Sequence, residues 1–186
     1  MSAPLQYVAL ASVDGYIADR DGNWDWAVPD AEVHAFINEL CRPSEVSLLG
    51  RRMWEVDSWW ATVDMATLPP VELAWAKRWH EVQKVVYSRT LHTVKVPGVI
   101  LRHDFDPVEV GRWKTESEAP LQIGGATLAS VAARAQLLDE LHIFRAPVVV
   151  GGGTPFLEED VRLGLELRAV REFENGFTYA HYRVVP

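Results

Sequence analysis

The chain has one cysteine, Cys41, in 186 residues, which rules out an intrachain disulfide and points to a reducing, cytoplasmic setting. It also has no basic surplus. Its 18 Lys and Arg stand against 26 Asp and Glu, a net charge of −8, which argues against a broad nucleic-acid-binding face. No run of about 18 apolar residues occurs, so no membrane-spanning helix is expected. The opening "MSAPLQYVAL" has no basic region leading into an apolar stretch, so no export signal is expected either. The six histidines, His34, His80, His92, His103, His142 and His181, show neither H-E-x-x-H nor triad spacing. With a single cysteine to join them, neither a zinc centre nor a hydrolytic site is expected. "DRDGNWD" (19 to 25) imitates a calcium loop, but Trp24 stands at the sixth position, where such a loop requires glycine. No metal is expected.

Low-complexity linkers, repeats and composition breaks are absent too, so residues 1–186 are read as one domain. The chain is 48% apolar and 24% charged, the balance of a sequence that buries a core. Short β-branched or apolar runs at 5–12, 45–50, 82–88, 98–103, 120–125 and 138–151 read as buried strands. Helical periodicity separates them at 29–41, 70–81, 106–117 and 126–136. The alternation predicts an α/β protein with a mostly parallel sheet covered by helices on both faces, a three-layer αβα arrangement. The segment 164–185 alternates around Asn175-Gly176 and reads as an antiparallel hairpin of two edge strands. The expected total is about eight strands.

Three stretches then attract attention, because each places chemistry at the carboxyl end of an expected strand, where open α/β sheets bind ligands. "LQIGGATLAS" (121 to 130) carries a glycine pair between strand and helix, a layout that lets a phosphate reach backbone N–H groups or merely permits a tight turn. "SLLGRRMWEV" (47 to 56) sets two arginines at a helix start, where the dipole disfavours them unless an anion is present. "VVYSRTL" (85 to 91) offers a hydroxyl and a guanidinium after a strand. A second glycine group lies in "VVVGGGTPFL" (148 to 157).

In this order, "GRRMWE", "SRTL" and "IGGATL" resemble the cofactor-binding elements of the dihydrofolate-reductase-like fold. "SVDGYIA", "SRTL" and "PVVVGGGTPFL" more closely resemble the C-terminal reductase domain of the bifunctional riboflavin-biosynthesis deaminase-reductase and its stand-alone bacterial relatives. The resemblance covers nearly the whole chain and implies an NADPH-dependent reductase acting on a small heterocyclic or ribosylamino-pyrimidine substrate. It also accommodates the absence of a G-x-G-x-x-G fingerprint, which that group does not use. By the resemblance, Gly50, Arg51, Arg52 and Met53 would meet the pyrophosphate and adenosine phosphate, and Ser88 and Arg89 the 2′-phosphate. Gly124, Gly125, Ala126, Thr127 and Leu128 would cradle the pyrophosphate, and Ile17 and Ala18 would flank the nicotinamide. Two departures stand out: Met53 where a hydroxyl residue is frequent, and Ala126 where dihydrofolate reductases carry glycine.

On the substrate side, Asp14 and Glu32 are the carboxylates considered for catalysis, and Trp26, Asp30 and Trp54 for substrate contact. Asp14 better suits a turn, Asp30 a helix N-cap and Glu32 a first-turn acid. Of the eight tryptophans, Trp24, Trp26, Trp54, Trp59 and Trp60 are placed near the cleft rim, and Trp75, Trp79 and Trp113 in the core. A dihydrofolate reductase proper and a non-catalytic nucleotide-binding module remain open beside the riboflavin-pathway reading. The apolar 141–157 region and the hairpin make a homodimer reasonable.

Overall fold

The computed structural model describes residues 2–185. Its elements, in chain order, are β1 (Leu5–Ser12), β2 (Tyr16–Ala18), α1 (Ala31–Cys41), β3 (Val46–Gly50), α2 (Arg51–Asp57), α3 (Pro70–Glu81), β4 (Gln83–Tyr87), β5 (Val99–Arg102), α4 (Pro107–Glu116), β6 (Leu121–Gly124), α5 (Ala126–Arg134), β7 (Glu140–Ala146), β8 (Thr154–Pro155), β9 (Gly164–Glu172) and β10 (Thr178–Val185). Eight of the strands form one sheet in the order β5-β4-β3-β6-β1-β7-β10-β9. From β5 to β7 all neighbours run parallel, and β10 turns back antiparallel to both β7 and β9. The expected α/β architecture with a mostly parallel sheet and a C-terminal hairpin is the one observed.

Period-two alternation sends the two sets of strand side chains into separate cores. On one face, Leu5, Tyr7, Leu121, Ile123, Leu141 and Ile143 pack under Val110 of α4 and Leu128, Ala129 and Ala132 of α5. On the other, Val33, Ile37 and Cys41 of α1 cover Phe144, Tyr179, Phe173 and Phe177. Trp54 of α2 and Trp79 of α3 close the same face over Leu49 and Val86. Cys41 is 2% exposed, and burial pushes its thiol above the ordinary range.

Three details depart from the sequence reading. The strand expected over 138–151 ends at Ala146, because Pro147 has no N–H to donate and Gly151, Gly152 and Gly153 all take positive φ. The freed segment reaches β8, which pairs with β2 in a separate two-stranded sheet. Of the hairpin strands only β9 is an edge. β10 is paired on both sides, and Gly176 supplies the positive φ (85°) that its turn needs.

Beneath α3 the second face holds a buried cation. Lys84 Nζ donates to the carbonyl oxygens of Trp79 and Val82, lies 3.9 Å from the centre of the Trp79 ring, and faces Asp57, which accepts from the Trp79 indole N–H at 2.7 Å. Burial outweighs the attraction of Asp57 and lowers the Lys84 ammonium to about 8, from an ordinary 10.5. Between those values the unfolded chain holds the proton and the folded chain has lost it, so stability rises with pH over that window. Urea titrations from pH 7 to 10.5 should show this increase for the native protein and a flatter profile for Lys84→Met.

Candidate functional site

The carboxyl ends of β3, β4 and β6 bring the three marked sequence stretches together. Gly50 closes β3 and serves as the N-cap of α2, and Gly125 follows β6 as the N-cap of α5. β3 and β6 are paired neighbours, so the two helix starts touch. A Cβ on Gly50 would lie 3.6 Å from Leu128 Cβ and 3.8 Å from the Gly124 carbonyl oxygen. Neither start has a side-chain cap, whereas Asp30 and Asp106 cap α1 and α4. Two helix ends with uncapped first-turn N–H groups therefore point toward one place, an arrangement that favours an anion.

The loop after β4 completes this corner. Ser88 Oγ accepts from the backbone N–H groups of Thr90 and Leu91 at 3.2 and 3.0 Å, which folds the loop back on itself. Arg51 donates to Thr90 Oγ1 and pairs with Glu55 at 2.8 Å, tying α2 to that loop. Arg89 is exposed and pairs with Asp104 at 2.6 Å. Arg52 forms no ion pair among the described residues and lines a cleft of about 570 Å³ with residues 18–22, Gly153 and Thr154. Ala18 on β2 thus shares one open pocket with the start of α2, and Ile17 beside it packs onto the first core.

The glycine pair has reasons of its own. A Cβ on Gly124 would stand 3.0 Å from both Leu49 Cδ2 and Met53 Cγ. Gly125 has φ 97°, a conformation side chains disfavour, and its Cβ would meet Met53 Cβ at 3.4 Å. The bare backbone is therefore demanded by the close packing of the two turns. What remains for a ligand is the N–H groups of Ala126, Thr127 and Leu128 that follow.

The far wall of the cleft is the 150–153 loop pressed against the segment after β2. A Cβ on Gly153 would fall 2.1 Å from the Ala18 carbonyl oxygen, so the two backbones pass with no room for a side chain. Arg20 lies against Gly152 and donates to the Gly151 carbonyl oxygen at 3.0 Å. Asp14 holds the loop from the other side, accepting from the N–H groups of Val150 and Gly151 at 3.2 and 2.8 Å.

The substrate-side residues have partners of their own, and Trp54 alone is moved away from the cleft. The Asp14 carboxyl is held below its ordinary range, first by a hydrogen bond from Ser12 and then by the two loop N–H groups, and its contacts are those of a structural tether. Glu32 pairs with Arg171 at 2.8 Å and accepts from the Glu174 N–H at 3.4 Å, which commits it to the hairpin. Asp30 accepts from Val33 N at 3.0 Å, the work of an N-cap. Trp54 is 6% exposed and stacks on Trp79 at 6.3 Å, in the core and not on the cleft wall. Trp26 is half-buried against the second core, its indole N–H donating to the Asn23 carbonyl at 3.2 Å. Gly153, of the second glycine group, lines the cleft together with Arg20 and Thr154, which had not been singled out. Their signal was present in the charged "DRDGNWD" and the triple glycine, but only the fold brings those segments together.

The family model described as the RibD C-terminal domain matches residues 4–122 and 114–179. The chain belongs to this family. Membership of the RibD C-terminal domain family, a reductase-domain family, implies an oxidoreductase. A similar protein is the uncharacterised YyaP of Bacillus subtilis (strain 168), 27% identical over 175 residues, 92% of this chain and 89% of that one. Among solved structures, a protein of Shewanella sp. PV-4 provisionally named a riboflavin biosynthesis protein superposes with TM-score 0.74 at 20% identity, each chain covered to 100%. Dihydrofolate reductase from Enterococcus faecalis, complexed with NADP(H), superposes with TM-score 0.64 at 19% identity, again with 100% of each chain covered. The fold of this RibD C-terminal domain is thus the dihydrofolate-reductase-like one.

Two outcomes check the site geometry. Trp54→Ala should cost about 3–5 kcal/mol in a urea titration, as for a core aromatic. Asp14→Ala should leave the protein folded but release the 150–153 loop, seen as faster limited proteolysis within that loop than in the native protein.

Proposed function

We propose that this protein is an NADPH-dependent reductase of a small heterocyclic substrate, of the kind that converts a ribosylamino pyrimidine to its ribitylamino form in riboflavin biosynthesis. The observation that carries the reading is the convergence of two uncapped helix N-termini and the 88–91 loop beside a cleft that Arg52 and Ala18 share. A dinucleotide phosphate has both the charge and the extended shape to occupy that corner. The family and the NADP(H) carried by the dihydrofolate reductase neighbour support the same choice of cofactor.

In this assignment the N–H groups of Arg51, Arg52 and Met53 on α2, and of Ala126, Thr127 and Leu128 on α5, hold the pyrophosphate, with Gly50, Gly124 and Gly125 shaping the approach. Ser88 and Arg89 face the 2′-phosphate, and Ile17 and Ala18 flank the nicotinamide end. The bound cofactor supplies the hydride. This chain contributes charge, orientation and a walled cleft. Asp14 keeps the far wall in place by its hold on Val150 and Gly151, and Arg20 braces the same wall through the Gly151 carbonyl. A dihydrofolate reductase proper is less well supported, because neither Asp30 nor Glu32 is available to hold a pterin.

Fluorescence titration should show saturable NADPH binding that is stronger than NADH binding. Arg89→Ala should weaken NADPH by about 1.5–3 kcal/mol, the size of a charge-assisted contact, and leave NADH nearly unchanged. Arg52→Ala should weaken both. An equal loss for the two cofactors in Arg89→Ala would remove the 2′-phosphate assignment, and absence of NADPH binding would remove the proposal. Oxidation of NADPH with a ribosylamino pyrimidine tests the chemistry, and binding without turnover would favour a nucleotide-binding module.

The same proposal includes a homodimer through the hairpin edge, where β9 leaves Leu165, Leu167 and Val170 exposed by 43, 55 and 61%. Sedimentation velocity should give a dimer, with Leu167→Lys shifting it to monomer.

A further inference from the structure

At the opposite end of the sheet, the strands bring together three metal-ligating side chains that the candidate cofactor site does not use. Glu140 and His142 lie two residues apart on β7 and so share a face, and His181 on β10 is the register partner of His142. The side-chain ligand atoms of the three residues all lie within 4.8 Å of one another. Glu140 Oε2 is 3.3 Å from His142 Nε2 and 3.6 Å from His181 Nε2. The first is a long hydrogen bond and the second lies beyond hydrogen-bond distance. Both are close to the edge of a tetrahedral zinc site, about 3.4 Å for ligand bonds of about 2.1 Å, and the third pair closes to within 4.8 Å.

The surroundings have the form of a metal site's outer shell. His142 Nδ1 is hydrogen-bonded to Tyr179 Oη at 2.7 Å, which fixes the ring and leaves Nε2 directed at Glu140. Gln6 Nε2 donates to Glu140 Oε2 at 2.7 Å, orienting the carboxylate. His181 Nε2 is buried and has no hydrogen-bond partner. The cluster is nevertheless reachable, since the side chains of Glu140 and His181 are 23 and 22% exposed while that of His142 is 2% exposed.

We infer that Glu140, His142 and His181 form a binding site for a divalent transition-metal ion of the zinc class, with three protein ligands and a fourth position for water. Two imidazoles and a carboxylate suit zinc, and cobalt can replace it as a spectroscopic probe. Capture draws the His181 ring, which is stacked on His142 at 4.2 Å, toward the ion. Glu140 is the first residue of β7, whereas the candidate cofactor corner lies at the carboxyl ends of the parallel strands β3, β4 and β6, so the ion would brace the join of β7 and β10.

The test uses untagged full-length protein titrated with ZnCl2 by calorimetry and with CoCl2 by visible absorption. One equivalent of each metal per chain is expected, with the intense absorption of four-coordinate cobalt. His181→Ala and Glu140→Gln should each weaken zinc by at least about tenfold, and Tyr179→Phe by about 10–100-fold through loss of ring orientation. His80→Ala, on α3, should bind as the native protein does. Substoichiometric zinc, a weak six-coordinate cobalt spectrum, or native affinity in His181→Ala would overturn the assignment. His181 and Glu140 are equally exposed, so those two variants decide the matter even if substitution of the more buried Tyr179 impairs folding.

Discussion

The contact on which the candidate site depends is the packing of Met53 against the end of β6. Its Cγ lies 3.0 Å from where a Gly124 Cβ would be, and its Cβ 3.4 Å from that of Gly125. A side chain added at either glycine would press on Met53, and at Gly124 on Leu49 as well, so the two strand-to-helix turns sit closely packed edge to edge. The same corner holds the pairing of two helix starts, the reach of Arg51 to Thr90, and Arg52 on the cleft. Met53 had been noted for lacking a hydroxyl. Its thioether side chain acts as the spacer between two backbones.

The opposite wall is organised by a different economy, in which polar groups hold a loop that has few apolar contacts. Asp14, Arg20 and the small β2–β8 sheet fasten residues 150–155 to residues 14–20. Tyr7, fully within the first core, donates from its hydroxyl to the Phe156 carbonyl oxygen at 2.8 Å and anchors the same excursion from beneath. One wall is thus a rigid consequence of the sheet, and the other a tethered loop whose stability is local.

The difference between the two walls explains what could be read from the sequence. Strand and helix positions in the parallel half are local properties, and 126–136 or 70–81 announce themselves by periodicity. The end of β7 at Ala146 could also be seen in Pro147 and the glycines, but the apolar run through Val150 concealed it. The roles of Asp14, Glu32 and Trp54 were not legible, because each depends on a partner far along the chain: Gly151, Arg171 and Trp79. The same holds for Glu140, His142 and His181, where only strand pairing makes neighbours of residues about forty positions apart.

The lone cysteine has a use that follows from its place under α1. With 2% exposure and a thiol raised by burial, Cys41 is closed to thiol reagents while α1 rests on Phe144 and Tyr179. No second thiol competes for the reagent. Its labelling rate therefore times the lifting of a single helix from the sheet, and the native sequence carries its own clock for that motion.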